Sequence, residues 1–414
     1  MKISLLLERE YFVSIFEGTM SSFFSDYFGQ SYKVKWQQSD FKKDTEFKGE
    51  VQTWRCNPQI NAIFVPGAER EVFEPIIREF SYTPVWWRKP FQYIYIRTAT
   101  HMIWGKYLAK INIKVSPVVP DAKDLLIVGG NHKLRLLDNK RKKCFVILKK
   151  GFDSNFFERE LNVRRLAYNL KLPVPSVLEE GSSNIRWYAE KYVVGTPINR
   201  LKESKRSRFA LGECIKALQI LAEYSREEIE VENYLENLSQ SIKKNISSNI
   251  LLKEEERTKL LGYLDRVRSL VVELSRNYLR KIDTVIAHGD FQPANIIINN
   301  DDYWIIDWEY SCRRQAEYDG LVYVLKSRFP RGMAKRLKNL LEDDRMWAEP
   351  ILCKWPDMKV NNISLRRRRL ILTIFLLEEL SLRIEENSNP VFKELGCGFY
   401  DFVSEFPKVL EVMR

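Results

Sequence analysis

The sequence predicts an α+β protein in which a β-rich region precedes a mainly helical one. Between about residues 121 and 200, short apolar runs alternate with turn residues, which is typical of antiparallel strands. From Ser204 to about Arg280, apolar residues recur at the i, i+3, i+4, i+7 spacing of helices. Residues 1–120 mix both patterns and read as a folded α/β extension. The predicted domains are therefore 1–120, 121–200 and 201–414.

Composition agrees with a globular protein of two or three domains. The chain has 414 residues, of which 45% are hydrophobic and 29% charged. No transmembrane or secretory segment is visible, so we expect a cytoplasmic protein. The six cysteines show neither CxxC nor Cys/His spacing, and the sequence therefore predicts no zinc site and no disulfide framework. They are Cys56, Cys144, Cys214, Cys312, Cys353 and Cys397.

Two carboxylates and an amide stand at a spacing that suits phosphoryl transfer. Asp290 and Asn295 lie five residues apart in His288–Asn295, and Asp307 follows Asp290 by seventeen. The intervening apolar runs predict a hairpin, whose return would bring Asp307 beside Asn295. Two hard oxygen ligands and a nearby carboxylate make up the metal and acceptor end of a kinase site. Ordinary turn formation is disfavoured, because several residue types must coincide at fixed offsets.

The wording of these motifs resembles the aminoglycoside phosphotransferase/choline kinase family. His288-Gly289-Asp290 and Ile306-Asp307-Trp308-Glu309 match its two signatures, and the resemblance covers about Asp121 to the C-terminal helices. It implies a bilobal, protein kinase-like fold that binds ATP and Mg²⁺. On this resemblance Asp290 is the catalytic carboxylate, Asn295 and Asp307 hold magnesium, and His288 is a scaffold bonded to nearby backbone.

A nucleotide-binding lobe should precede such a site. Gly129-Gly130 reads as a glycine turn between two strands, which could bring backbone N–H groups to a phosphate. A plain hairpin turn is the competing interpretation. The next strand ends its apolar run at Lys149, as the phosphate-binding lysine strand of kinases does. Adjacent strand residues alternate faces, so Lys149 is chosen over Lys150, with a solvated strand end as the alternative.

The following helix and strand complete the predicted lobe. Glu160 shares the inward face of the helix with its apolar stripe, whereas Glu158 does not, so Glu160 is the expected partner of Lys149. The strand beginning at Trp187 resembles the hinge against which adenine packs. Backbone groups around Glu190 to Tyr192 would then bind the base. Another core strand is the simpler alternative for this segment.

The acceptor is less well specified than the phosphoryl donor. Glu309 could contact a cationic substrate or only its own loop. The wording Ile306–Tyr310 slightly favours an amino alcohol, and Arg313–Ala316 departs from the family pattern on the substrate side. The sequence therefore predicts a kinase acting on a small-molecule hydroxyl: an amino alcohol, aminoglycoside, or sugar or glycan. A protein kinase-like enzyme and a non-catalytic nucleotide-binding scaffold are the alternatives, and no Ala-Pro-Glu element supports the former.

The net charge of +12 concerns partners, not fold. Arg366–Arg369 is its densest cluster, at the predicted start of a helix capped by Ser364, where acidic neighbours or a ligand would offset the helix dipole. The five tryptophans of residues 1–120 are expected in the core more than on a sugar or nucleic-acid platform. We therefore expect no nucleic-acid partner. Contact with a membrane surface or lipid-linked glycan stays open, as does the oligomeric state.

Overall fold

The computed structural model describes residues 1–37, 47, 49–80, 82–83, 85–109, 111–202, 204–276, 280–300, 302–352 and 363–413. Contacts divide the chain into two compact units. The first comprises Met1–Phe157 and Pro175–Thr196, and the second comprises Glu158–Val174 and Pro197–Arg414. Each of the five cysteines in the described ranges is a free thiol, and Cys353 lies outside them. No helix in these ranges is both long and apolar enough to cross a membrane.

The first unit is built on a nine-stranded sheet in which every neighbouring pair is antiparallel. The strands are β1 (Lys33–Gln37), β2 (Gln52–Asn57), β3 (Ala62–Phe64), β4 (Ile111–Ser116), β5 (Leu125–Gly129), β6 (Lys133–Asp138), β7 (Lys143–Leu148), β8 (Val177–Gly181) and β9 (Trp187–Lys191). Their order in the sheet is β1-β4-β2-β3-β5-β6-β7-β9-β8. The predicted boundary at residue 120 falls between β4 and β5, so the extension and the predicted nucleotide lobe share one sheet.

Two N-terminal helices, α1 (Ile3–Arg9) and α2 (Phe12–Phe28), help to form the core of this unit. The buried side of α2 is rich in phenylalanine at helical spacing. Phe23 meets Phe145 and Trp187 edge-on, with ring centroids 5.4 and 5.6 Å apart. Because aromatic pairs in this geometry add to the free energy of apolar burial, α2 is a firmly packed layer on the sheet.

Between β3 and β4 the chain forms α3 (Glu74–Phe80), α4 (Arg88–Thr100) and α5 (Gly105–Leu108). Among the N-terminal tryptophans, Trp54 is buried, as expected. The expectation of core packing is wrong for three others, since Trp86, Trp87 and Trp104 are 83%, 51% and 59% exposed. They lie on or next to α4 and α5, at positions that face away from the apolar interior.

The second unit is mainly helical, and most of its helices contribute to one large apolar core. Helix α6 (Asn155–Asn169) starts in the first unit and continues in the second. The other helices are α7 (Lys205–Ser225), α8 (Val231–Ser248), α9 (Glu254–Ser275), α10 (Tyr318–Leu325), α11 (Met333–Glu342), α12 (Asp344–Trp347), α13 (Leu365–Glu386) and α14 (Cys397–Met413). The strands are β11 (Glu227–Glu230), β12 (Lys281–Ala287), β13 (Ile296–Asn299), β14 (Asp302–Ile305) and β15 (Cys312–Gln315), and the two residues of β10 (Thr196–Pro197) belong one to each unit.

The arginine cluster at the start of α13 is engaged within the second unit. Ser364 caps this helix by accepting from the Arg367 N–H at 3.3 Å, as predicted. Arg366 donates to three backbone carbonyls at the end of α9, and Arg368 forms an ion pair with Asp344. Carbonyls at a helix C-terminus attract cations. These contacts therefore offset the unfavourable position of the cluster.

Candidate active site

The loop that carries Asp290 is held by the backbone on either side of it. His288 Nδ1 accepts from the Asp290 N–H at 3.1 Å, and its Nε2 lies 3.0 Å from the Ile306 carbonyl oxygen. The ring therefore has its proton on Nε2, and it is bonded to nearby backbone as predicted. Asp319 accepts from the N–H groups of His288 and Gly289 at 2.8 and 2.9 Å. The sequence analysis did not identify this anchoring role of Asp319.

Gly289 is required by the shape of this loop. Its φ is +85°, which lies in a region of backbone conformation that residues with a Cβ rarely adopt. A Cβ built at this position would lie 2.1 Å from the Tyr310 carbonyl oxygen. Any other residue would push the loop away from the turn at Tyr310, which follows β14.

The Asp290 carboxylate is buried and accepts from three side chains. Gln292 Nε2 lies 3.0 Å from each oxygen, and Asn295 Nδ2 lies 2.8 Å from Oδ2. Arg328 Nε donates to Oδ1 at 2.6 Å. A carboxylate offers about four lone-pair sites. These donors therefore fill the hydrogen-bonding capacity of Asp290 and fix its orientation.

Arg328 links the loop that carries Asp290 to α13, and no sequence pattern pointed to it. Its Nη1 donates to both oxygens of the buried Glu379 at 3.1 and 2.9 Å, and its Nη2 donates to the Gly289 carbonyl. Burial alone would lower the pKa of Arg328, but Glu379, Tyr318 and Asp290 outweigh it and raise that pKa. The pKa of Glu379 is lowered because Arg328 and Arg383 overcome the effect of its burial.

The hairpin β13–β14 brings Asn295 and Asp307 together, as the spacing predicted. Ile296 pairs with Ile305, and the Ile306 N–H donates to the Asn295 carbonyl oxygen at 3.0 Å. Asp307 follows directly, in a left-handed conformation with φ of +68°. The side-chain N–H₂ group of Asn295 donates to the carbonyl oxygen and to Oδ2 of Asp290. The Asn295 Oδ1 is therefore the atom suited to bind a cation.

These two side chains fit a magnesium ion chemically. A carboxylate and an amide oxygen are hard ligands, which Mg²⁺ prefers. In the described ranges no group of three or more His, Cys, Asp or Glu residues could hold a metal by itself. A magnesium ion at Asn295 and Asp307 would therefore take its other ligands from water and phosphate oxygens, as is usual for this ion.

In the first unit, Lys149 is paired with a residue that the sequence did not suggest. Its Nζ lies 2.6 and 2.7 Å from the two carboxylate oxygens of Glu10, and both side chains are fully buried. Lys150, the alternative lysine, is exposed. Glu160 belongs to the second unit, where it is buried and its Oε1 lies 4.0 Å from Nη1 of Arg164. Its pairing with Lys149 stays a prediction.

The glycine turn is bonded to neighbouring residues of the first unit. The Gly129 N–H donates to Asn61 Oδ1 at 3.0 Å, and the Gly129 carbonyl accepts from Asn61 Nδ2. A Cβ on Gly129 would lie 2.9 Å from Ile3 and Leu6. Neither Gly129 nor Gly130 has a positive φ. Gly129 is therefore needed for close packing of α1, and its N–H is bonded to Asn61. The phosphate-binding roles of Gly129 and Gly130 stay predictions.

The predicted hinge follows β9, whose residue Glu190 pairs with Cys144 on β7. The backbone N–H groups of Lys191 and Tyr192 donate to Ser176 and Lys142, each at 2.9 Å. A base docked here would therefore use carbonyls of the segment, or N–H groups further along the chain. The roles of Glu190 and Tyr192 in base binding stay predictions.

Glu309 lies between two buried aromatic residues. Trp308 donates its indole N–H to the Ile305 carbonyl at 3.1 Å, and the Tyr310 hydroxyl donates to Glu386 at 2.9 Å. Burial raises the pKa of Tyr310 well above its ordinary value. Glu309 itself is partly exposed, and its contact with a substrate stays a prediction.

A family profile decides the assignment of this site. The profile described as the phosphotransferase enzyme family matches residues 131–350, which is more than half of the chain. The chain belongs to this family. Membership, together with the sheet-based first unit and the helical second unit, confirms the predicted α+β class and protein kinase-like fold. A search of curated proteins gave no match.

Several solved structures resemble this member of the phosphotransferase family at low sequence identity. A choline kinase from Cryptosporidium parvum Iowa II is 14% identical with a TM-score of 0.43, over 71% of this chain and 92% of that one. An ethanolamine kinase from Plasmodium vivax is 15% identical with a TM-score of 0.44, over 83% and 95%. An aminoglycoside phosphotransferase from Streptomyces rimosus is 17% identical with a TM-score of 0.37, over 62% and 92%.

Proposed function

We propose that the protein is an ATP- and magnesium-dependent kinase that phosphorylates a hydroxyl of a small molecule. The acceptor class is an amino alcohol, an aminoglycoside, or a sugar, free or on a glycan. The observation that supports this most is the buried Asp290 carboxylate, oriented by Arg328 and bonded to Asn295. Membership of the phosphotransferase family supports phosphoryl transfer as the reaction class.

Asp290 would orient the acceptor hydroxyl. Because its carboxylate already accepts several hydrogen bonds, the acceptor must displace one of these donors. Gln292 is the simplest one to displace, since its side chain is held only through this contact in the described hydrogen bonds. A carboxylate that orients the acceptor suffices, because phosphoryl transfer passes through a loose transition state in which positioning and electrostatics dominate.

Asn295 and Asp307 would hold magnesium, which supplies the charge neutralisation that phosphoryl transfer needs. Lys149 would bind phosphate oxygens, with Glu160 as a second carboxylate near its charge. Glu309 would contact a cationic group of the acceptor. These roles rest on the motifs in which the residues stand, together with the hydrogen-bonded Asn295–Ile306 pair that positions Asp307.

The test is turnover on a panel of hydroxyl compounds. Purified protein with ATP and Mg²⁺ should release ADP faster in the presence of at least one amino alcohol, aminoglycoside or sugar. Asp290→Asn should abolish this release, and circular dichroism should show an unchanged fold. If the panel gives no acceptor-dependent release at high enzyme concentration, the proposed reaction is contradicted.

A non-catalytic nucleotide-binding scaffold is the second candidate, because specific contacts favour it. Glu10 occupies the amine of Lys149, and Asn61 occupies the N–H of Gly129. Both groups were expected to serve phosphates. This candidate would be supported if ATP raised the melting temperature while neither phosphoryl transfer nor ATP hydrolysis could be detected.

A further inference from the structure

Helices α4 and α5 present large apolar side chains to solvent. We call this set the α4–α5 surface, and each member is more than half exposed. Trp104 and Tyr107 lie close together within it, with ring centroids 6.3 Å apart. The surface consists of Trp86, Trp87, Phe91, Ile94, Met102, Ile103, Trp104 and Tyr107. Monomeric soluble proteins seldom expose large apolar patches, and a patch of this kind usually marks a binding site.

Helix α4 is apolar on two opposite sides. Ile96 and Ala99 are fully buried on its inner side. Trp87, Phe91 and Ile94 follow the i, i+4, i+7 spacing that places them on one stripe, and all three are exposed. The inner side explains how α4 is anchored. The outer stripe is exposed and contributes nothing to the buried apolar core of the described residues.

Basic residues accompany the stripe, and acidic residues are absent. No Asp or Glu occurs from residue 82 to residue 116 in the sequence, whereas six Lys or Arg residues do. At 100° per residue, Arg88 and Arg97 fall on either side of the stripe. The cations of Arg88, Arg97 and Lys106 lie 5.1–5.2 Å from the ring centroids of Trp87, Tyr93 and Tyr107. The segment therefore carries a positive charge that no carboxylate of its own neutralises.

We propose that the α4–α5 surface docks on an anionic lipid bilayer. Trp and Tyr favour the membrane interface, because their rings are apolar and their N–H or O–H groups stay hydrated. Exposed apolar side chains flanked by Lys and Arg are the pattern of helices that lie in the interface plane. Each cation near an anionic surface adds to the attraction. An anionic bilayer would therefore bind both the apolar stripe and the Lys and Arg residues beside it.

The geometry excludes insertion across the bilayer. Helix α4 has 13 residues, a length of about 20 Å at 1.5 Å per residue, which is shorter than the ~30 Å hydrocarbon core. It would lie flat. A second copy of the chain is a poorer partner, because a symmetric contact through this surface would bring together cations of two segments that both lack carboxylates.

The test is flotation with lipid vesicles, which requires no enzymatic activity and is independent of the proposed reaction. The whole protein should float with vesicles containing phosphatidylglycerol and much less with pure phosphatidylcholine. Raising the salt concentration should weaken binding, because exposed charges are screened. Trp87→Gln/Phe91→Gln and Arg88→Gln/Lys89→Gln should each weaken partitioning about tenfold or more.

The matched control is Phe209→Gln/Tyr224→Gln on α7. These two residues are 63% and 65% exposed, similar to the residues replaced on α4, and the pair should float like the wild type. The proposal is overturned if the control variant loses as much vesicle binding as the α4 variants do. It is also overturned if the wild-type protein floats with no vesicle. A dimer in solution that the Trp87→Gln/Phe91→Gln variant converts to monomer would also overturn it, because the surface would then be a protein interface.

Discussion

Arg328 donates from Nε to Asp290 Oδ1 at 2.6 Å, and both side chains are nearly buried. The same guanidinium donates to Glu379 on α13. Its planar fork thus joins the Asp290 carboxylate to the core of the second unit. Because such an arrangement depends on the geometry of the guanidinium, lysine cannot replace it. The position of Asp290 therefore depends on a residue outside its own loop.

The first prediction concerns Arg328→Lys. This change keeps one positive charge but loses the bridge, so Asp290 should be less well oriented. We expect kcat to fall by about 10–100-fold while KM for ATP changes little, since a small misplacement of a catalytic group is costly. Arg331→Lys is the control, because Arg331 is 83% exposed in its pair with Asp401. An unchanged kcat for Arg328→Lys would show that the bridge does not position Asp290.

The second prediction concerns the buried pair of Lys149 and Glu10. Lys149→Met leaves the Glu10 carboxylate buried without this cation, and we expect about 3–5 kcal/mol of destabilisation. Glu10→Gln in addition should recover a large part of that loss, because both charges are then removed. Urea unfolding of the single and double variants measures the coupling. Lys140→Met, at an exposed pair with Asp121 of 2.7 Å, should change stability little. Additive effects of Lys149→Met and Glu10→Gln would contradict the pairing.

The third prediction concerns pH and Glu378. Burial raises the pKa of Glu378 from 4.5 to about 7, against the effect of Arg314. A raised pKa means that the folded state keeps a proton that the unfolded state releases. The stability from this group is therefore present below pH 4.5 and is lost as pH rises to about 7, with a slope on the order of 1 kcal/mol per pH unit.

Unfolding of Glu378→Gln at several pH values measures this contribution. The variant should lose the downward slope of stability between pH 4.5 and 7 relative to the wild type. Glu411→Gln, at an exposed position of α14, should keep that slope. If Glu378→Gln and the wild type show the same pH dependence, Glu378 does not carry a proton in the folded state near neutral pH.

The local parts of the site could be predicted from the sequence. Asp290, Asn295 and Asp307 lie within one loop and one hairpin, so spacing and strand pairing were enough to bring Asn295 and Asp307 together. The α+β class followed from the change of apolar period along the chain. In both cases the information is contained in neighbouring residues.

The long-range charge pairs could not be predicted in this way. Glu10 is 139 residues from Lys149, and Glu379 is 51 from Arg328. Periodicity shows which face of an element is buried, but it does not show which charge that face meets. Glu160 was therefore the expected partner of Lys149, and Glu10 was missed. The expectation that the N-terminal tryptophans are buried was wrong for a related reason. Helix α4 is apolar on both sides, and composition does not reveal which side the fold covers.

The central claim is tested most directly by ³¹P NMR of a reaction containing the protein, ATP, Mg²⁺ and a hydroxyl compound from the panel. We predict a new phosphomonoester resonance that grows as ADP forms with the wild type. With Asp290→Asn the resonance should be absent, although ATP should still raise the melting temperature. An undiminished phosphomonoester signal from Asp290→Asn would contradict the assignment of Asp290 as the catalytic carboxylate.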